Sequence, residues 1–342
     1  MTHIIGLMVF DDAGGSPAQD YAEAIRRALR DHSPSRDADI IPPGAATGNP
    51  VQILVRDAAR NPNAYNGVAQ QLFNAANADV VVVGDAIATR PTRGRRAGHA
   101  QGHRKAVLAG VTADPWYFGN AADNHFAGTL VTSPGLSFDR LRYLKTIAPD
   151  VTRVAIIRVA DAPPPANVPD NVNHCANQEE AQLRTQAGHF GMTITRTLRF
   201  PPQRINPNFT TIPNPTTDVD AYIVIRDPVF QYNRDVLVAR LNGSNVPVMY
   251  PYRSFVSLDP ANPALGGLIS HGPNLVANMY GIGQQVATIL DALDADPNQT
   301  IDCSTLGFPG PFQIDTVINR AAFAALQAHG VHLVDIPGAI HV

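Results

Sequence analysis

The run Asp79-Val-Val-Val-Val-Gly84 most restricts how this chain can fold. Four successive β-branched residues leave no polar face, so a strand made from them must be covered on both sides. It is far too short to span a bilayer, which needs roughly 20 apolar residues, and no other run in the chain approaches that length. It fits a buried strand.

The flanking segments repeat the same grammar. Ile4 to Phe10 is a continuous apolar run and predicts a buried strand. Ser16-Pro17 predicts a helix start, with Ser16 as N-cap, Pro17 at the first helical position and Gln19 closing a capping box. Tyr21, Ala24, Ile25, Ala28 and Leu29 then form a stripe at helical spacing. A strand over Val51 to Val55 follows, then a helix over Ala64 to Asn77. Beyond the valine run comes a helix within Ala88 to His103, weakened by Pro91 and Gly94, and a strand over Ala106 to Val111. This rhythm predicts a doubly wound parallel sheet.

The pattern then restarts, giving a second α/β unit of similar size. Thr129 to Thr132 is a short strand, Ser137 caps a helix running to Ile147, and Val151 to Val159 is a strand. A helix over Gln178 to Phe190, strands over Thr193 to Phe200 and Val219 to Ile225, a helix over Asn233 to Leu241 and a strand over Val246 to Tyr250 follow. A long amphipathic helix is predicted over Asn274 to Leu293. The chain closes with a strand over Phe312 to Ile318 and a helix over Ala321 to His329. Asp161 to Asn173 and Pro201 to Thr217 are proline-rich and read as a functional lid or a surface insertion.

Composition narrows the function. With 44% hydrophobic residues the chain is not disordered, and its 342 residues suggest two domains. A net charge of −3 makes no case for a nucleic-acid partner. Two cysteines, Cys175 and Cys303, exclude a disulfide-dense scaffold. No GxGxxG, Walker, GxSxG, HExxH or CxxC pattern occurs, so no cofactor, metal site or catalytic residue is expected. Arg90, Arg93, Arg95, Arg96, Arg104 and Lys105, with His99 and His103, read as a solvated helix face or a polyanion patch. His99 and His103 also stand at the i, i+4 spacing of metal ligands on a helix, without a Cys or Glu beside them.

Three stretches carry a family resemblance. Ser137 to Ile157, Pro247 to Arg253 continued by Gly266 to Leu275, and Phe312 to Asn319 with Ala321 onward look like matching stretches of ABC-transporter substrate-binding proteins. The group includes aromatic amino-acid binding proteins. Order and spacing agree over residues 130 to 335. The resemblance implies a type I periplasmic-binding-protein fold: two Rossmann-like lobes joined by crossover hinge strands, with a small ligand in the cleft. Applied here, it puts lobe 1 at 1–127 with 270–305, and lobe 2 at 128–269 with 306–342. Two stretches differ from the group: Val111 to Asn120 replaces a short turn, and Pro201 to Thr217 replaces helix.

In such sheets ligands bind beyond the carboxyl ends of strands, near helix N-termini. That places the candidate ligand-binding residues. After the first strand, Asp11 and Asp12 face an ammonium and Gly15 and Ser16 offer backbone amides, or the segment is a polar turn capping the helix. Gly84, Asp85 and Thr89 follow the valine strand. Thr112, Asp114 and Trp116 follow the next, with Trp116 stacking on a flat ligand or packing as a core aromatic. In the second unit come Arg158, Arg226, Asp227, Tyr250 and Tyr252. Arg226 and Asp227 read the two charges of an amino acid, or they pair with each other and hold the loop.

The expected function is capture of a small polar molecule, an amino acid or related aromatic or carboxylate compound, by hinge closure for ABC-type uptake. The resemblance implies a monomer, a small-molecule ligand and an ABC permease as partner. It also implies a periplasmic location, whereas Met1-Thr-His lacks a signal peptide, which reads as cytoplasmic for a full-length chain. Two alternatives stay open: a cytoplasmic ligand-sensing or orphan binding protein of the same fold, and an enzyme using the same cleft.

Overall fold

The structure, a computed structural model, describes residues 2–9, 17–41, 49–58, 64–84, 86–112, 124–133, 135–160, 174–201, 208–213, 217–258 and 262–342. The chain forms two compact units. One comprises Met1–Thr132 with Leu275–Gln313, the other Ser133–Asn274 with Ile314–Val342.

The first unit contains β1 (His3–Val9), α1 (Pro17–His32), β2 (Asp39–Ile41), β3 (Val51–Asp57), α2 (Tyr65–Gln70), β4 (Val80–Val83), α3 (Ala86–Ala97), β5 (Ala106–Thr112) and β6 (Phe126–Leu130). These strands make one parallel sheet in the order β2-β3-β1-β4-β5-β6, so strand addition reverses direction at β1. The valines of β4 are all fully buried, as a strand covered on both faces requires. Val80 and Val82 share a face with Ile5 and Leu7, packed on Ile25 and Leu29 of α1. On the other face, Gly6 leaves room for Leu72, whose side chain lies 2.9 Å from where a Cβ would stand. The long helix α8 (Leu275–Ala295) adds Met279, Ile282 and Val286 to the first face. Its Gly283 admits close contact with α1: a Cβ there would lie 2.6 Å from Ala28 Cβ.

The second unit contains α4 (Leu136–Ile147), β7 (Arg153–Val159), α5 (His174–Gln186), β8 (Thr193–Phe200), β9 (Ala221–Val224), α6 (Pro228–Tyr232), α7 (Arg234–Asn242), β10 (Val248–Tyr250), β11 (Ile269–Pro273), β12 (Ile314–Ile318), α9 (Arg320–Ala328) and β13 (Ile340–His341). The sheet order is β13-β12-β11-β10-β9-β7-β8, parallel throughout except for the antiparallel β11–β12 pair. Ile156, Ile223, Met249 and Ile269 form one buried face with Leu141 and Leu144 of α4 and Phe323 of α9. Tyr222 and Tyr250 lie on the opposite face, where Tyr250 stacks on Phe255 at 5.5 Å between ring centroids. Both units are therefore the doubly wound α/β layers expected from sequence.

Several local expectations are corrected. Ser137 does not cap its helix: Gly135, at φ +85°, holds that position, and the buried Ser137 hydroxyl pairs with Gln182 Oε1 at 2.9 Å. The predicted helix over 64–77 is α2 followed by a π-helical turn over Gln71–Ala75. The helix expected within 88–103 ends at Ala97. Thus His99 and His103 do not share a helix, and among the described residues no group of side chains suits a metal. The basic cluster is split as well. Arg96 and Lys105 are buried, Lys105 donating to Asn77 Oδ1 and Ala78 O, while Arg93 stacks over Phe126. Strand β11 carries no strand signal of its own; its Gly272 passes so close to Pro251 that a Cβ would lie 1.9 Å from that carbonyl oxygen. Within the second proline-rich stretch, Asn208 caps a 3-10 turn that buries Phe209 and Ile212. The segment 161–173 lies outside the described residues. Among the described residues, no helix is long and apolar enough to cross a membrane.

Candidate ligand site at the carboxyl ends of the second sheet

Adjacent strands β7, β9 and β10 end side by side and place charged groups together. Arg140 of α4 is fully buried beneath them, its guanidinium donating to Glu179 and to the Val224 and Met249 carbonyls at the ends of β9 and β10. Glu179 of α5 also accepts from Arg226 Nε at 3.0 Å. Burial works against the Glu179 charge, but the Arg226 and Arg140 guanidiniums outweigh it and hold the carboxyl below its usual range. Burial pulls the Arg140 guanidinium down, with Glu179 opposing.

The next residue, Glu180, serves a separate group. It accepts from Arg158 at 2.8 Å and from Thr197 at 2.6 Å, with Arg184 and Arg199 alongside. Burial opposes ionisation there too, yet these donors hold Glu180 at about 2. Arg158 is almost fully buried and also donates to Asn177. The chain has three glutamates, and two of them are these acceptors; that scarcity beside so many arginines is the signal that could have found them.

Asp227 behaves differently. Its Oδ1 accepts Val229 N–H at 2.8 Å as the N-cap of α6. Burial pushes its carboxyl up to about 7, against the opposing Val229 hydrogen bond and the Arg158 charge. Arg226 and Asp227 thus do not pair with each other: Arg226 turns to Glu179, and Asp227 has no cation within ion-pair distance among the described residues. Tyr252 is buried two residues past β10, and burial raises its hydroxyl to about 12. Tyr250 lies in the core, its hydroxyl without a partner among the described residues and pushed upward by burial.

His271 of β11 was not singled out by sequence. Its Nδ1 pairs with Thr316 Oγ1 at 2.9 Å and its ring lies 4.7 Å from that of Tyr143. Burial, then Arg140 and Arg142, lower it to about 4, so it is neutral at pH 7.

In the first unit, Gly84 N–H donates to Met8 O at 2.8 Å and the ring of Tyr21 closes over it, while Thr89 is buried in α3. Thr112 is the last residue of β5. Asp11, Asp12, Gly15, Ser16, Asp85, Asp114 and Trp116 lie outside the described residues. Cys303 is buried.

No family model matches the chain, and no curated protein matches it. Solved structures do. A domain from Streptococcus pneumoniae in complex with L-Trp is 15% identical, with a TM-score of 0.64, over 96% of this chain and 95% of that one. A ligand-free, open substrate binding protein with adhesive properties from Clostridium difficile is also 15% identical, at 0.62, over 100% and 99%. The chain has the type I periplasmic-binding-protein fold. A solute binding protein of an ABC transporter from R. palustris, in complex with 4-hydroxybenzoate, shares it at 12% identity and a TM-score of 0.51, over 96% and 79%. In open α/β sheets the crevice beyond the carboxyl ends of the strands is the general position of a ligand.

Proposed function

We propose that the chain is a solute-binding protein that captures a small polar molecule, an amino acid or an aromatic or carboxylate compound, without transforming it, for ABC-type uptake. One observation carries the reading. At or just past the ends of β7, β9 and β10 stand Arg158, Arg226 with Asp227, and Tyr252. Guanidinium groups suit a carboxylate, a carboxylate suits an ammonium, and a tyrosine ring suits an aromatic body. Proteins of the same fold solved with L-Trp and 4-hydroxybenzoate support that ligand chemistry. No covalent-catalysis motif competes with it in the sequence.

The test is a thermal-shift panel of amino acids, aromatic acids, short carboxylates and nucleobases on protein refolded free of co-purified solute. A ligand at about 100 times its Kd adds roughly 2.7 kcal/mol, which raises Tm by about 5–10 °C. The hit must be recovered chemically unchanged by mass spectrometry. A panel without a hit, or a product in place of the ligand, overturns the proposal.

A further inference from the structure

The second unit carries a cavity away from the strand-end site. It opens at the amino ends of β10 and β11, the opposite edge of the sheet, and has a volume of about 140 Å³. The side chains of its floor are buried and apolar: Val248 of β10, Leu268 just before β11, and Ala322 and Leu326 of α9. Two polar side chains stand at the mouth beside the exposed Ala325. They are Asn245, in the turn after α7, and His329, just past α9. Among the described residues, neither the Asn245 side-chain amide nor the His329 ring has a hydrogen-bond partner.

Water gains little in such a space. The volume holds about four or five waters at about 30 Å³ each, and the floor side chains offer them no hydrogen bonds. Displacing poorly held water by an apolar group favours binding. A single six-membered ring has the right size, since an engineered apolar cavity of about 150 Å³ takes benzene. Charge narrows the class further. Among the described lining residues there is no lysine, arginine, aspartate or glutamate, so an ionic ligand would lose its hydration without gaining a counter-ion. The strand-end site has the opposite chemistry, with guanidiniums and carboxylates at its edge. We propose that the cavity is a second binding site, for a neutral single-ring compound bearing one hydrogen-bonding substituent. The ring lies on the floor, and the substituent meets Asn245 and His329 at the mouth. This site is independent of ligand capture at the strand ends.

The experiment titrates methyl-labelled protein with phenol, toluene and benzoate and reads the NMR signals of the Val248, Leu268 and Leu326 methyls. Those signals report the cavity floor, so binding at the strand ends does not enter. Phenol should give saturable shifts with a Kd of about 1 mM or below, and benzoate should bind about ten-fold or more weakly than phenol. Asn245→Gly combined with His329→Ala removes both polar groups; glycine adopts the Asn245 φ of +58° without cost. That variant should lower the phenol-to-toluene affinity ratio by about three-fold or more, the size of one neutral hydrogen bond. Ala325→Phe, at an exposed position, should block the mouth and abolish the saturable shifts while Tm stays unchanged. Four results each overturn the inference: no saturable shift in the wild type, wild-type affinity in A325F, benzoate binding as tightly as phenol, or an unchanged ratio in the double variant. None of them bears on the solute-binding reading, which the thermal-shift panel decides.

Discussion

Replacing Glu179 by Gln tests whether the second unit depends on its buried charges. Arg140 is 0% exposed and Glu179 3%. The amide keeps the shape of the carboxylate but removes its charge, leaving Arg140 with the backbone carbonyls of Val224 and Met249. Breaking one side of a buried pair costs about 3–5 kcal/mol, because a desolvated charge is left without its counter-ion. For a unit of this size that lowers Tm by roughly 6–20 °C. Arg226 is closer to solvent than Arg140 and recovers part of the loss by hydration, which favours the lower half of the range. The assay is calorimetry, with Arg320→Ala as control: its partner Asp335 and Arg320 itself are both largely exposed, so that loss stays below about 1 kcal/mol. The pH arm has a definite sign. The folded carboxyl of Glu179 lies below its unfolded value, so its contribution is fully present above about 4.3 and fades as pH falls through the folded value. The gap between wild type and E179Q therefore narrows in acid. An E179Q loss no larger than the control, or a gap constant with pH, refutes the reasoning.

Three further outcomes are expected. His3 pairs with Asp79 at 3.3 Å and Asp294 at 2.9 Å, and the Asp79 hydrogen bond above all raises it, burial opposing. Its contribution is therefore full below about pH 6.5 and lost as pH rises through its folded value, so urea unfolding at about pH 6 and pH 8.5 should separate wild type from His3→Gln only at the lower pH. Gly272→Ala should cost roughly 1–3 kcal/mol, read as a lowered Tm, since its Cβ meets a backbone carbonyl that cannot swing aside; an unchanged Tm contradicts the close approach. Arg226→Ala should weaken binding of the panel's best carboxylate ligand about ten-fold or more by calorimetry; unchanged affinity removes Arg226 from the site.

The sequence by itself determined the layers. The valine run required a buried strand, and the alternation of apolar runs with helical stripes required two α/β units; the sheet order then places that strand centrally. These signals are local, because the burial of a strand or helix face is written in the spacing of its own residues. The tertiary structure decided what spacing cannot encode. Strand β11, with the sequence Ile-Ser-His-Gly-Pro, exists because β10 and β12 supply its ladder. Ser137, read as a cap, is drawn to Gln182 on another helix. Most of all, Arg226 and Asp227 are neighbours in sequence with opposite charges, yet they do not pair. Glu179, 47 residues earlier, takes the arginine, and the aspartate is left to cap α6. Charge pairing is decided by distance and desolvation in the folded chain, and neither is visible before the sheet brings β7, β9 and β10 to a common edge.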